Sequence, residues 1–346
     1  MSKVYFKKVT NKTSVKEVQH ITQQLLDRII KEEDIKLEKD IPLKVHFGEK
    51  GNTTFIKPEN YDGIIDYLEK KDIKSCFMET TVLYGGERAK KDTHIKIAKE
   101  HGFTRLPIII ADGEQGEDVA NVKVDFKNLK SCMIGAEFLK YKQLIVISHF
   151  KGHMIAGFGG AIKQLAMGHA AKGGKLAMHM DVKPRIIDRK CKRCHACQKV
   201  CNVDAITIGE KSFIDHDKCI GCGACFATCP YKAISIFCVT GMLHAIGICN
   251  NFKEKLAEYA FAAQKGKHNI YINFAMSITS GCDCMGKKMT PLMDDIGIFI
   301  STDPVAIDMA CYDMVKDNGK KFRGADILPY AEKIGLGSQE YDLIDI

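Results

Sequence analysis

Eight cysteines between residues 191 and 229 are spaced as two copies of one pattern. Cys191, Cys194, Cys197 and Cys201 form a C-x2-C-x2-C-x3-C run, and adding 28 to each number gives Cys219, Cys222, Cys225 and Cys229. The same shift carries Ala205-Ile206 onto Ala233-Ile234, so the repeat outlasts the cysteines. Three thiolates at this spacing hold three corners of an iron–sulfur cubane when the backbone winds tightly around it, and the fourth points away. The chemistry on offer is electron transfer through two 4Fe–4S clusters. A pair of zinc sites is the alternative, yet zinc needs neither the third cysteine nor the fourth at those intervals. Disulfides do not suit a reducing compartment.

The run resembles the bacterial two-cluster ferredoxins over about residues 188–237. That resemblance implies ligand sets crossing between the halves: Cys191, Cys194 and Cys197 with Cys229, and Cys219, Cys222 and Cys225 with Cys201. Residues 205–208 and 233–236 would then pack beneath the clusters and exclude water. Asn202 stands where the pattern usually has proline, as at Pro230, which affects a local turn and not the ligands. Lys192, Arg193 and His195 lie among the first ligands, whereas Ile220, Gly221, Gly223 and Ala224 lie among the second. Positive charge favours a reduced cluster, so the first is expected to have the higher potential.

A second concentration of reactive side chains lies between residues 144 and 181. An apolar run, 144–147, leads into Ser148-His149-Phe150-Lys151-Gly152-His153, then Gly157-Phe158-Gly159-Gly160-Ala161-Ile162-Lys163. A strand, a glycine-rich loop and a helix start offer free backbone N–H groups to an anion, with Gly157, Gly159 and Gly160 as the cradle. Lys163 would add charge to that anion or act as a base. His149, Lys151, His153 and Lys163 are therefore candidate catalytic residues, while His169 falls on an apolar helix face and suits a core role. The loop is not a nucleoside triphosphate motif. Asp308 joins the candidates because Val305, Met309 and Tyr312 share its helical face, so its carboxylate needs a cationic partner, expected to be Lys163 or a histidine. Gly281-Cys282-Asp283-Cys284 is compact enough to bind a metal or act as a redox thiol pair, but small packed side chains would read the same way.

Elements with alternating periodicity position these groups. Val15, Val18, Ile21, Leu25, Leu26 and Ile29 give a helical face with Ser14 as its cap. Strands are expected at 43–47, 75–79, 106–111, 144–147, 270–274 and 296–300, with helices at 58–70, 93–101, 252–264 and from Pro304 to about 316. Asp303 and Pro304 form an ordinary helix start. This order predicts an α/β fold, a mainly parallel sheet covered by helices, with a small α+β ferredoxin-like two-cluster module inserted. The expected division is 1–187 and 238–346 for one discontinuous α/β domain and 188–237 for the module, entered through Lys183-Pro184-Arg185. Loops after the strands also carry Glu79, Tyr84, Gly85, Gly86, Arg88 and Asp112 as site candidates.

The 346 residues include 15 cysteines and carry a formal charge of +8. Two filled clusters, each about −2 with its thiolates, lower that to about +4. Lysines are scattered and lack interleaved aromatic platforms, which excludes nucleic acid as a partner class. The start of the chain has no apolar signal-like region, and the least charged run, 233–251, reads as a strand, turn and helix start and not as a membrane span. A cytoplasmic, oxygen-poor setting is expected. Across most of its length the sequence resembles the three-six-two family of domains of unknown function in its iron–sulfur form. The resemblance rests on His149-Phe-Lys-Gly-His153, Gly157 to Lys163, the cysteine module, Gly281 to Cys284, and Ser301-Thr-Asp-Pro-Val-Ala-Ile-Asp308. A fainter similarity links Gly159-Gly160-x-x-Lys163 to a Gly-Gly-x-Lys segment of nickel-pincer lactate racemases, at a different spacing. The expected function is an iron–sulfur oxidoreductase that exchanges electrons with a redox partner protein and an anionic substrate or cofactor. A non-enzymatic carrier or docking partner, with structural or sensing clusters, is the alternative.

Overall fold

The computed structural model describes residues 1–179, 184–201, 203–219, 224–235 and 251–346. Cys222, Cys238, Cys249, Asn202, Lys183 and the expected module boundary at 237–238 lie outside the described residues.

An eight-stranded sheet runs in the order Tyr341–Asp345, Ser2–Lys8, Gly297–Ser301, Ile270–Ala275, Ile145–His149, Leu43–Lys44, Phe77–Glu79, Ile108–Ile110. Gly297–Ser301 is antiparallel to both neighbours, and the other pairings are parallel. The central strands are buried throughout because both faces are covered. Alternate side chains feed two cores: Ile145, Ile147, Ile270, Ile272, Ile298 and Ile300 on one face, Val146, Tyr271, Phe299 and Phe6 on the other. Val15–Glu32, Asp62–Glu69 and Lys91–Glu100 cover the first face. Ala161–His169, Phe252–Gln264, Pro304–Asp317 and Ile327–Lys333 cover the second. The α/β class with a mostly parallel sheet is thus the one the alternating segments predict.

Local chemistry explains the element ends. Ser14 and Glu17 form a reciprocal capping box on Val15–Glu32. Asp303 accepts from Val305 N at 2.8 Å and Ala306 N at 3.0 Å, with Pro304 as the first helical residue. The segment expected as helix from Pro58 opens with a 3-10 turn, Pro58–Tyr61, before Asp62–Glu69. Ladder pairing at 43–47 stops after Lys44, although the chain stays largely buried to Phe47. Strands Ser2–Lys8 and Tyr341–Asp345 were not expected from sequence.

Residues before and after the cysteine-rich segment share the sheet, since Ile145–His149 and Ile270–Ala275 are paired neighbours. Within that segment Arg185–Ile186 pairs with Ile234–Ser235, and Ile206–Thr207 with Phe213–Ile214. The helix Ala224–Thr228 packs against Lys172–His179 of the larger part. Among the described residues no helix is long and apolar enough to cross a membrane.

Candidate functional site

Strand order reverses beside Leu43–Lys44. From there the chain steps outward to Phe77–Glu79 and Ile108–Ile110, then returns to Ile145–His149 on the other flank. The crevice at the carboxyl ends of these strands is where parallel α/β sheets place ligands. Here it holds a cavity of about 70 Å³, whose lining includes His46, Glu79, Ser148, His149, Lys151, Lys163 and Cys282. A second cavity of about 110 Å³ shares Val82, Lys163, Met167 and Lys175 with it and adds Leu83, Tyr84, Arg88, His153, His179 and Cys284. The largest recess, about 850 Å³, opens at the opposite end of the sheet around Ser2, Asn269 and Thr302, away from these groups.

His149 is the last residue of its strand, and its Nδ1 lies 2.9 Å from Asp283 Oδ2, while Nε2 lies 2.8 Å from the Met276 carbonyl. Both ring nitrogens therefore face acceptors. Lys151 Nζ sits 2.7 Å from Asp283 Oδ2 and donates to the His149 carbonyl at 3.0 Å. Asp283 is fully buried, which alone would raise its carboxyl, but His149 and Lys151 hold it well below the usual range. The loop carrying Asp283 also presents Cys282, whose sulfur accepts from Cys284 N at 3.3 Å and from Lys163 Nζ at 3.7 Å. A hydrogen bond from the Cys284 thiol, against the opposing effect of burial and helped by Lys163 and His153, holds Cys282 well below the ordinary thiol range. The same pairing pushes Cys284 up. Burial works against the Lys163 ammonium, and Cys282, Cys284 and Asp283 together more than restore it. One ligand atom each from His153, Cys282 and Cys284 lies within 4.8 Å of the others, so this group allows a metal ion. His153 Nδ1 accepts from Ala156 N at 3.0 Å, and the ring also hydrogen-bonds Cys282.

Behind these residues stands a buried ionic cluster. Lys44 Nζ contacts Glu79 Oε1 at 2.8 Å, and Arg88 contacts Glu79 at 3.3 Å and Glu49 at 3.1 Å. Arg88 also donates to the Tyr84 hydroxyl. Lys175 bonds Thr80, the Thr81 carbonyl and the Ala170 carbonyl, with no carboxylate in contact among the described residues. Asp112 accepts from Thr81 N at 2.8 Å and Thr81 Oγ1 at 2.7 Å, which ties it to the loop and not to the cavity. Glu79 and Arg88 were visible in the sequence as candidates. Lys44, His46, Glu49 and Lys175 were not, because each reads as an ordinary surface residue until its distant partner is known.

Asp308 has a different role from the one expected. Its oxygens accept from Ala161 N at 2.6 Å, Ile162 N at 2.9 Å and Asn273 Nδ2 at 2.8 Å. It therefore bonds the start of the Ala161–His169 helix and not Lys163 or a histidine, and it is absent from the cavity lining. Its carboxylate occupies the backbone N–H groups that the glycine-rich loop was expected to offer an external anion. The glycines serve close approach instead: a Cβ on Gly160 would lie 2.2 Å from Asp308 Oδ1, and one on Gly157 would lie 2.0 Å from the Arg323 carbonyl. Gly159 and Gly160 do line the smaller cavity, but Gly157 does not.

Three histidines around the site sit neutral in the interior. Burial pushes His46 to about 3, with Arg88 beside it, and His169 to about 3, with Lys44 near. His169 packs on Phe138 with ring centres 4.1 Å apart, the core role its helical face suggested. Burial, then His153, pushes His179 to about 4. Below pH 6.5 the unfolded chain binds protons that these folded rings refuse, so stability falls as pH drops from about 6.5 toward 4 and is fully present above 6.5. At pH 5 the loss is roughly 2 kcal/mol for each ring. Urea midpoints at pH 7.5, 6 and 5 should therefore fall steeply, and His169→Gln should flatten that slope; a constant midpoint over this range would contradict the assignment.

Cys197, Cys201, Cys219, Cys225 and Cys229 of the repeated segment gather around one small core with Ala205, Ile206, Ile214 and Ile234. Cys191, Cys194, Cys197 and Cys229 line a single pocket of about 10 Å³ together with Ile186, Ile208 and Ala233. Ala205 N donates to Cys201 Sγ at 3.2 Å, and Ala233 N donates to Cys229 Sγ at 3.3 Å, equivalent bonds in the two repeats. Asp204 and Lys232, also equivalent, have φ of 47° and 50°.

Two solved structures are similar in fold. One is a protein from Thermotoga maritima, at 10% identity and a TM-score of 0.45, with 89% of this chain and 60% of that one covered. The other is the lactate racemase apoprotein from Thermoanaerobacterium thermosaccharolyticum, at 12% identity and a TM-score of 0.41, with 88% of this chain and 55% of that one covered. The chain thus spans 60% and 55% of the lengths of these two proteins. No curated protein matches it in sequence. Residues 41–313 match the family described as Domain of unknown function (DUF362), and the chain belongs to that family.

Proposed function

We propose that the protein is an iron–sulfur oxidoreductase that passes electrons between a redox partner protein and a small ligand in the crevice beside Cys282. The observation that carries this reading is the convergence of Cys191, Cys194, Cys197 and Cys229 on one apolar-walled pocket, the set the ferredoxin resemblance implies. Those four would hold one 4Fe–4S cluster, and Cys219, Cys222, Cys225 and Cys201 the other, with Cys222 beyond the described residues. The N–H groups of Ala205 and Ala233 suit sulfurs that carry negative charge. When bound, such clusters supply one-electron transfer.

The larger part contributes the surroundings. Ala224–Thr228 packs on Lys172–His179, and His179, at the end of that helix, lines the cavity with His153, Lys163 and Cys284. Among the described residues, the helix Lys172–His179 thus touches both the cysteine segment and the crevice. A crevice lined by charged, imidazole and thiol side chains favours an enzyme over a bare electron carrier, whose needs end at an exposed cluster. Residues His149, Lys151 and Asp283 fix the thiol-bearing loop, and Lys163 faces its sulfur.

Anaerobic purification should give about eight irons and eight acid-labile sulfides per chain. Cys225→Ala should lower the iron to about four and remove one of two reduced-cluster EPR signals. Colourless protein without sulfide would overturn the proposal. Clusters that cycle with chemical reductants yet never respond to any cavity-blocking substitution would favour the carrier.

A further inference from the structure

The deep end of the crevice has more positive charge than its own carboxylates balance. Lys44, Arg88, Lys151, Lys163 and Lys175 are five cations, set against four buried carboxylates: Glu79, Glu49 and Asp283 in contact with the first three, and Asp112 acting on Lys175 from farther off. The sulfur of Cys282 faces Lys163. About one positive charge is left over, which suits a monoanion and disfavours a phosphate dianion.

Two donors point to where the anion sits. Ser148 lines the smaller cavity and is 3% exposed, and its hydroxyl has no hydrogen-bond partner among the described residues. A buried hydroxyl left unpaired costs about 1–3 kcal/mol, so one beside a cavity marks a ligand position. Lys163 lines both cavities, and its one hydrogen-bond partner among the described residues is Cys282 Sγ. An ammonium has three protons, so two remain for an oxygen ligand. Volume sets the size: at roughly 10–15 Å³ per water-sized occupant, the smaller cavity holds about five to seven heavy atoms. The adjoining cavity presents Val82, Leu83 and Met167 to whatever extends beyond.

We propose that this crevice binds a small monocarboxylate, its head on Lys163 and Ser148 beside the Cys282 sulfur and its short apolar tail toward Val82, Leu83 and Met167. This deepens the reading of the crevice as the substrate site and moves the anion away from the helix start that Asp308 occupies. The carboxylate's two oxygens match two donor groups that line one cavity, and the neutral amide of the same acid would place an N–H against the ammonium. Extra bulk on the tail is accommodated only along the apolar side.

Isothermal titration of the full chain, purified anaerobically, with acetate and propionate as probes tests this. Saturable binding is expected, with propionate the tighter and acetamide undetectable. Ser148→Ala, a small change in a well-packed strand, should weaken binding roughly tenfold. Lys163→Met should abolish it, with thermal melting checking that each variant remains folded. Acetamide binding as well as acetate, an unchanged affinity in folded Ser148→Ala, or no saturable heat with the wild type would each overturn the proposal. Iron and sulfide measured on the same samples separate the two readings. Iron-replete protein that ignores acetate removes the anion site alone, whereas iron-free protein that binds acetate through Ser148 and Lys163 removes only the electron-transfer reading.

Discussion

Asp308→Ala is expected to leave the larger part of the chain unable to hold its fold. The substitution strips acceptors from Ala161 N, Ile162 N and Asn273 Nδ2 in a place where water cannot replace them. Each orphaned donor costs about 1–3 kcal/mol, so the loss should exceed about 4 kcal/mol, a large part of an ordinary stability of about 5–15 kcal/mol. Asp308→Asn retains the shape and one acceptor oxygen and should lose about half as much. Gly160→Ala should behave like Asp308→Ala, since its methyl group would meet the same carboxylate. Urea unfolding followed by circular dichroism measures all three. An Asp308→Ala protein with the wild-type midpoint would show that the helix start finds other acceptors. The carboxyl is pushed up to about 6 by burial, while three donors favour its ionised form. That opposition fits a residue kept for joining Ala161–His169 to the strand Ile270–Ala275.

Glu79→Ala should be nearly as damaging for a different reason. Glu79 is buried between Lys44, itself 0% exposed, and Arg88, 1% exposed. Its own burial would raise its carboxyl, but Lys44 and the other cations hold it well below the usual range. Removing it leaves Lys44 with only the Val45 carbonyl as a partner. A buried charge deprived of its counter-ion typically costs about 3–5 kcal/mol. Replacing both members, as in Lys44→Met with Glu79→Met, should recover much of that, because the desolvation of two charges disappears together. The pair of single variants and the double variant form a cycle, and simple additivity would refute direct coupling. Arg88 retains Glu49 and Tyr84 in either background, so loss of binding at Lys163 can be scored apart from loss of folding.

Short-range rules made much of the scaffold readable. Ser14, Asp303 and Pro304 announce helix starts through their own side chains, and the apolar runs around Ile145 and Ile270 reveal strands covered on both faces. Ser2–Lys8 hid because its apolar run is only Val4-Tyr5-Phe6, flanked by lysines on both sides. Tyr341–Asp345 hid because its edge position leaves acidic, half-exposed side chains. Periodicity flagged Asp308 as a carboxylate in need of a partner, and it also flagged the helix start after Gly160 as a place for an anion. Nothing local reveals that one satisfies the other across 147 positions. Lys44 is the sharper case. Between Leu43 and Val45 it mimics the solvent side of an alternating strand, and only Glu79, on the neighbouring strand, makes its burial tolerable. The Ser148 hydroxyl carries no sequence signal at all.

The antiparallel pair Arg185–Ile186 and Ile234–Ser235 holds the departing and returning chain side by side. A segment whose first and last strands are zipped together in this way keeps its entry and exit side by side, so the cysteines between them stay gathered as one unit.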